Sequence, residues 1–235
     1  MKLNRALVGC ALGAATLASP AAFAGATGNV GAFSEYMFRG VAQEGGAAVQ
    51  GGLDYAHGSG LYVGTWASNI GFAGGTEMDL YVGYAGKAGS VGFDLGAIYY
   101  WYPEEDETDE EYSTLEFKAG ATFGPVSVYY YYSDEANFFA GTGDADEAGY
   151  LVGTLSLPIK EGLNVTGNIG YYHGDAVEDY FGEENEDYID YSVGLAKTLD
   201  AGFTATFQMI DTNLEGGGVD DEPKFVVGLK KTFDL

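Results

Sequence analysis

The sequence predicts an all-β fold, a closed antiparallel transmembrane β-barrel of about twelve strands with short turns at one end and long acidic loops at the other. Three observations predict it. Apolar and polar residues alternate with a period of two along nearly the whole chain, and helical periodicity is hard to find. Short and long connections alternate between the segments so defined. The 235 residues also include 38 Gly, 19 Tyr and 14 Phe, a composition suited to twisted sheets with aromatic girdles.

The N-terminus reads as a secretory signal peptide over 1–24. Lys2 and Arg5 supply a basic start, Ala6 to Leu17 a short apolar run, and Ala22-Phe23-Ala24 an A-x-A cleavage pattern that predicts a mature chain from Gly25. Leu7-Val8-Gly9-Cys10 has the shape of a lipoprotein box, but it sits near the start of the apolar run instead of closing it. Cys10 is the only cysteine, so the mature chain holds no disulfide and no thiolate metal site. Residues 25–235 are read as a single barrel domain. No later stretch is long and apolar enough for a membrane helix, which does not exclude strands that cross.

Strands are predicted at 29–41, 49–57, 61–70, 77–85, 91–102, 112–123, 126–133, 149–157, 163–173, 187–198, 203–211 and 224–233. Each has roughly the length a tilted strand needs to cross a bilayer. Connections after the even strands are tight, as in Gly86-Lys87-Ala88-Gly89, Gly124-Pro125 and the five residues from Pro158 to Gly162. After most odd strands they are long, polar and acidic. A membrane barrel with short periplasmic turns and long extracellular loops has this rhythm.

Parity assigns the two faces. Val91, Phe93, Leu95, Ala97 and Tyr99 oppose Gly92, Asp94, Gly96 and Ile98, and Leu115, Phe117 and Ala119 oppose Thr114, Glu116 and Lys118. A soluble sandwich would bury the apolar set; a membrane barrel turns it to lipid and keeps the polar set on a wet lumen. Tyr36 and Phe38, Tyr99 to Tyr102, Tyr129 to Tyr132, and Tyr171 with Tyr172 bunch at loop-side strand ends, where a headgroup-level girdle is expected. The last strand is less regular, because Lys231 falls at an apolar position and Phe233 stands two residues before the end.

A resemblance accompanies this pattern. Ser34-Glu35-Tyr36-Met37-Phe38-Arg39-Gly40-Val41-Ala42-Gln43, Gly64-Thr65-Trp66-Ala67-Ser68-Asn69, Asp79-Leu80-Tyr81-Val82-Gly83-Tyr84 and Tyr99-Tyr100-Trp101-Tyr102-Pro103 together resemble the TorF-type family of porin-like proteobacterial outer-membrane proteins. The resemblance is dense over residues 28–103 and continues only as strand rhythm beyond. It implies a channel-forming barrel and brings no substrate or catalytic residue with it.

Charge supplies the candidate site. The formal net charge is −25, which excludes nucleic-acid binding through phosphate contacts. Glu104, Glu105, Asp106, Glu107, Asp109, Glu110 and Glu111 crowd one expected loop, and Glu183, Glu184, Glu186 and Asp187 another, giving an acidic extracellular rim. Such a rim concentrates cations over about 8–10 Å at moderate salt, or serves only solvation. Lumen-parity charges are Glu35, Arg39, Asp54, Asp79, Asp94, Glu116, Lys118, Asp190, Lys224 and Lys230, with Glu35 and Arg39 about 13 Å apart on one strand. Buried charges must be paired or wet, so these groups either close the lumen or line a path. Twelve strands give a backbone diameter of roughly 24 Å and a lumen of about 8–12 Å, and Gly, Ser and Thr at many lumen positions favour an open one.

No EF-hand spacing occurs, so no metal site is defined, and no cofactor motif is present. There is no G-x-S-x-G, and His57 and His173 fall at opposite ends, which argues against an enzyme. The expected function is passive diffusion of small hydrophilic solutes across a Gram-negative outer membrane, favouring cations. The alternative is a closed structural barrel whose acidic loops bind cations, lipopolysaccharide or a partner. Expected partners are outer-membrane lipid and lipopolysaccharide, small solutes or cations, and the barrel-assembly machinery during insertion; monomer and oligomer both stay open.

Overall fold

A computed structural model describes residues 24–43, 46–105, 111–137, 146–182, 185–215 and 222–235. The strands are β1 (Gly25–Phe33), β2 (Met37–Phe38), β3 (Val41–Ala42), β4 (Ala48–Ala56), β5 (Leu61–Asn69), β6 (Thr76–Ala88), β7 (Val91–Trp101), β8 (Thr114–Phe123), β9 (Val126–Ser133), β10 (Ala148–Lys160), β11 (Leu163–His173), β12 (Asp187–Thr198), β13 (Phe203–Thr212) and β14 (Lys224–Asp234). One short helix, α1 (Asp175–Phe181), lies between β11 and β12. Strand β1 and strands β4 to β14 form a closed twelve-stranded antiparallel barrel, while β2 and β3 make a separate ribbon. Closure joins the two ends of the chain, with Thr27 opposite Asp234 and Phe33 opposite Gly228.

The turns explain why the connections alternate. Phe123 faces Val126 across Gly124-Pro125, and Gly124 takes a φ of 57°, the glycine-first pattern of a two-residue hairpin. The β10 to β11 turn is tighter than predicted. Strand β10 runs on to Lys160 with a register shift between Pro158 and Lys160, because Pro158 has no N–H for the ladder.

Burial fixes which face is which. On β7, Leu95 is 56 % exposed while its neighbour Asp94 is 2 % exposed. The apolar set therefore points outward and the polar set inward, as the alternation predicts. Val49, Leu53, Val82, Phe117, Ile169 and Phe225 carry the same apolar exterior around the wall. Lys231 interrupts it near the turn end, and its ammonium lies 5.0 Å from the Phe203 ring centroid. A long side chain at a strand end can cover an apolar ring while its charge reaches the aqueous edge.

The packed core lies inside the barrel and runs from Tyr62 near the tight-turn end to Tyr172 near the long-loop end. Tyr62, Tyr81, Tyr100, Tyr131, Tyr150 and Tyr172 fill it from the wall, and Val177 and Phe181 of α1 pack against them from above. Two expectations are corrected here. Of the predicted girdle, Tyr99, Trp101, Tyr130 and Tyr171 face outward, but Tyr36, Phe38, Tyr100, Tyr102, Tyr129, Tyr131 and Tyr172 are buried or half-buried inside. Runs of adjacent tyrosines must split between faces, because side chains alternate along a strand. Nor do five of the lumen glycines leave open space. A Cβ at Gly64 would strike Tyr81, at Gly83 or Gly96 Tyr62, at Gly120 Tyr129, and at Gly170 Tyr150. These glycines are the floor on which the tyrosine rings lie.

Candidate functional site

The first predicted strand does not run to Val41. Strand β1 ends at Phe33, and the following segment turns into the barrel as the β2–β3 ribbon, with Met37 opposite Ala42 and Phe38 opposite Val41. Arg39 and Gly40 are its two turn residues, both with positive φ, 47° and 87°. Positive φ at both central positions makes a tight hairpin but cannot continue a strand. Glycine is required at position 40, since a Cβ there would run into Thr212 and Asp190 on the wall. Arginine in this backbone region costs about 1–2 kcal/mol, so something else holds Arg39 in place. Glu35, expected on the same strand and face as Arg39, lies half-buried before the ribbon and shares no strand with it.

The guanidinium provides the compensation. Arg39 is 3 % exposed, and its Nη2 donates to both oxygens of Glu116 on β8, at 2.6 and 2.7 Å. Its Cζ lies 4.5 Å from the ring centroid of Tyr150, 4.7 Å from Tyr172, 5.2 Å from Tyr131 and 4.7 Å from Phe38. Three of those rings belong to the wall strands β9, β10 and β11. Tyr100 donates to Glu116 at 3.1 Å, and Tyr188 donates to the Arg39 carbonyl at 3.0 Å. Tyr150 in turn donates to Asp190 at 2.8 Å. Cation, carboxylate and rings thus form one network in a site shielded from water, where each contact is stronger than at a surface.

A second ion pair joins Lys118 on β8 to Asp94 on β7, at 3.2 Å. Tyr62 donates to the other Asp94 oxygen at 2.6 Å, and the Lys118 ammonium lies 5.3 Å from the Tyr62 ring centroid. Glu77 on β6 accepts from Tyr36 at 2.8 Å and from Tyr102 at 3.2 Å, which pins the start of the inward segment to the wall. Burial, and after it the Glu77 carboxylate, pushes both of these phenols well above their usual range, so they remain donors. Glu77 has the same parity as Asp79 and could have been found by that signal. Asp54 is half-buried and accepts from Tyr81.

Asp79 differs from these carboxylates. It is completely buried, and among the described residues neither of its oxygens has a hydrogen-bond partner. Its register partners are Trp66 on β5 and Tyr100 on β7. Toward the turn end the opposite wall is milder: Thr154 donates to Asn168 at 2.7 Å, and Asn168 to Ser192 at 2.9 Å. Lys224 and Lys230 stand half-buried on β14.

The acidic rim is only partly in view. Glu104, Glu111, Glu186 and Asp187 are exposed at the long-loop end, whereas Asp106, Glu107, Asp109, Glu110, Glu183 and Glu184 lie outside the described residues. Glu105 points back into its own loop and accepts the N–H groups of Tyr112 and Ser113, both at 2.8 Å. Among the described residues no group of three or more His, Cys, Asp or Glu could hold a metal ion. His57 lies in the β4–β5 turn beside Ser59, and His173 at the far end of β11 between Tyr130 and Tyr171.

Solved structures that superpose on this barrel include porins. The NanC porin superposes with a TM-score of 0.59 at 11 % identity, covering 89 % of this chain and 100 % of that one. The KdgM porin gives 0.56 at 10 % identity over 88 % and 99 %, and the KdgM porin in complex with disordered oligogalacturonate gives 0.55 at 9 % identity over the same shares. At such identities the likeness shows the fold alone. No curated protein matches the sequence. Residues 14–233 match the model described as "Bacterial protein of unknown function (Gcw_chp)", and the chain belongs to that family.

Proposed function

We propose that the protein is an outer-membrane channel of porin type that admits small cationic and neutral solutes, and that the inward ribbon at Arg39 narrows it. One observation carries the charge preference. Among the described residues the lumen buries five carboxylates (Glu77, Asp79, Asp94, Glu116 and Asp190) against two cations, Arg39 and Lys118. A constriction of that balance attracts cations and repels anions, because field lines concentrate between low-dielectric walls. The apolar exterior, the leader read over 1–24 and the resemblance to the TorF-type family support the membrane setting. Exposed Glu104, Glu111, Glu186 and Asp187 extend the negative potential to the mouth.

The test is conductance in a planar bilayer under a salt gradient. A reversal potential of cation-selective sign is expected, and anion selectivity would refute the proposal. The tyrosine-filled lumen favours a second reading, a closed barrel that acts through its loops. Absence of conductance in both the native protein and an Arg39→Gly variant would decide for that one.

A further inference from the structure

We infer that Glu116 and the rings of Tyr131, Tyr150 and Tyr172 form a lumen binding site for guanidinium-bearing solutes, and that Arg39 occupies it as an internal competing ligand. The inference rests on the cation-favouring channel reading and names the solute class for it. Carboxylate and rings stand on β8 to β11 of the rigid wall, whereas the guanidinium arrives on a two-residue turn with positive φ. A planar, weakly hydrated cation between aromatic faces and a carboxylate is the arrangement that selects guanidinium over a compact ammonium.

A fully buried ion pair is weak support for stability, since packed apolar side chains of like volume do as well. Stability alone therefore does not account for the pair. The neighbouring wall carries a second acceptor: Asp79 has no exposed surface, and both its oxygens lack donors among the described residues. It stands in register with Tyr100, the residue that donates to Glu116. A solute bearing a second cationic group finds an unpaired carboxylate there. Buried polar groups without partners are rare enough to point to a missing one.

The test uses the full barrel in detergent with L-argininamide as probe and calorimetric titration as readout. Arg39→Gly vacates the cage with a residue that suits the turn. It should bind argininamide roughly tenfold or more tightly than the native protein, in which only the ribbon-out fraction can bind. Adding Glu116→Gln to that variant should abolish the binding, and glutamate should not bind to any form. A folded Arg39→Gly barrel, judged by its β circular dichroism, that shows no argininamide binding overturns the inference.

Should that variant fail to fold, Arg39→Lys keeps the charge and loses the planar stacking on the rings, so its affinity should exceed the native one. An unchanged affinity there overturns the inference equally. The two readings separate cleanly. Cation-selective conductance with no argininamide binding sinks this inference alone, and argininamide binding to an anion-selective barrel sinks the channel reading alone.

Discussion

Replacing Glu116 by Gln tests how the inward ribbon is held. The side chain keeps its size but loses the charge facing a guanidinium that is 3 % exposed. Breaking one partner of a buried ion pair costs about 3–5 kcal/mol, because the other charge stays behind without compensation. The three wall rings and Phe38 remain, and at about 0.5–2 kcal/mol for a cation over a ring they hold the loss toward the lower end. The barrel itself does not depend on this contact, since its twelve strands pair around a closed ladder. The loss therefore falls on the ribbon. At about 1.4 kcal/mol per tenfold it shifts the in-to-out equilibrium by roughly a hundredfold to several thousandfold.

Two assays read that shift. Trypsin should cut after Arg39 in the Glu116→Gln variant and give a product beginning at Gly40, while the native protein resists. Mean single-channel conductance should rise in parallel. A variant with native resistance at the 39–40 bond and native conductance would refute the assignment of the ion pair as the fastening of the ribbon.

Other outcomes follow from the same network. Asp79→Asn exchanges a fully buried carboxyl group with no donor among the described residues for a neutral amide, so it should stabilise the barrel by about 1–3 kcal/mol wherever that carboxyl is ionised and weaken cation selectivity; a lower melting temperature in detergent would count against this. Gly170→Ala places a Cβ against Tyr150 and Asp190 and should cost about 1–3 kcal/mol by overpacking, checked by thermal melting, where no change would argue that the ring can move aside. Lys118→Met removes one of the two cations buried among the described residues, and the reversal potential should move further toward the cation value. Movement toward the anion value would show that Asp94 does not face the path.

Strand order and face were legible because a barrel wall with an apolar outside and a polar inside imposes alternation on every residue it contains. Leu95 out and Asp94 in follow from that constraint alone. What escaped was the segment after Phe33. Tyr36, Phe38 and Arg39 continue an alternating rhythm, and the residue at the turn is an arginine where a glycine pair or asparagine would have announced it. Its positive φ is held by a carboxylate 77 positions away, a contact that no local pattern carries. The filling of the lumen escaped for a related reason. Gly120 and Tyr129 are each unremarkable in sequence, and only their register, one directly opposite the other, lays the ring across the glycine.

The seam between β1 and β14 has a consequence for biogenesis. Thr27 meets Asp234 there, so the pairing that completes the cylinder joins the barrel's first strand in chain order to its last. Until β14 is available, β1 and β13 each present a bare row of amides and carbonyls, the template on which foreign strands add. Such a distant pairing is also the slowest kind to form, since the whole intervening chain must first be ordered. Assembly is thus a period of exposure that ends only when β14 docks, and a chain cut short before Lys224 would carry two sticky margins in place of none.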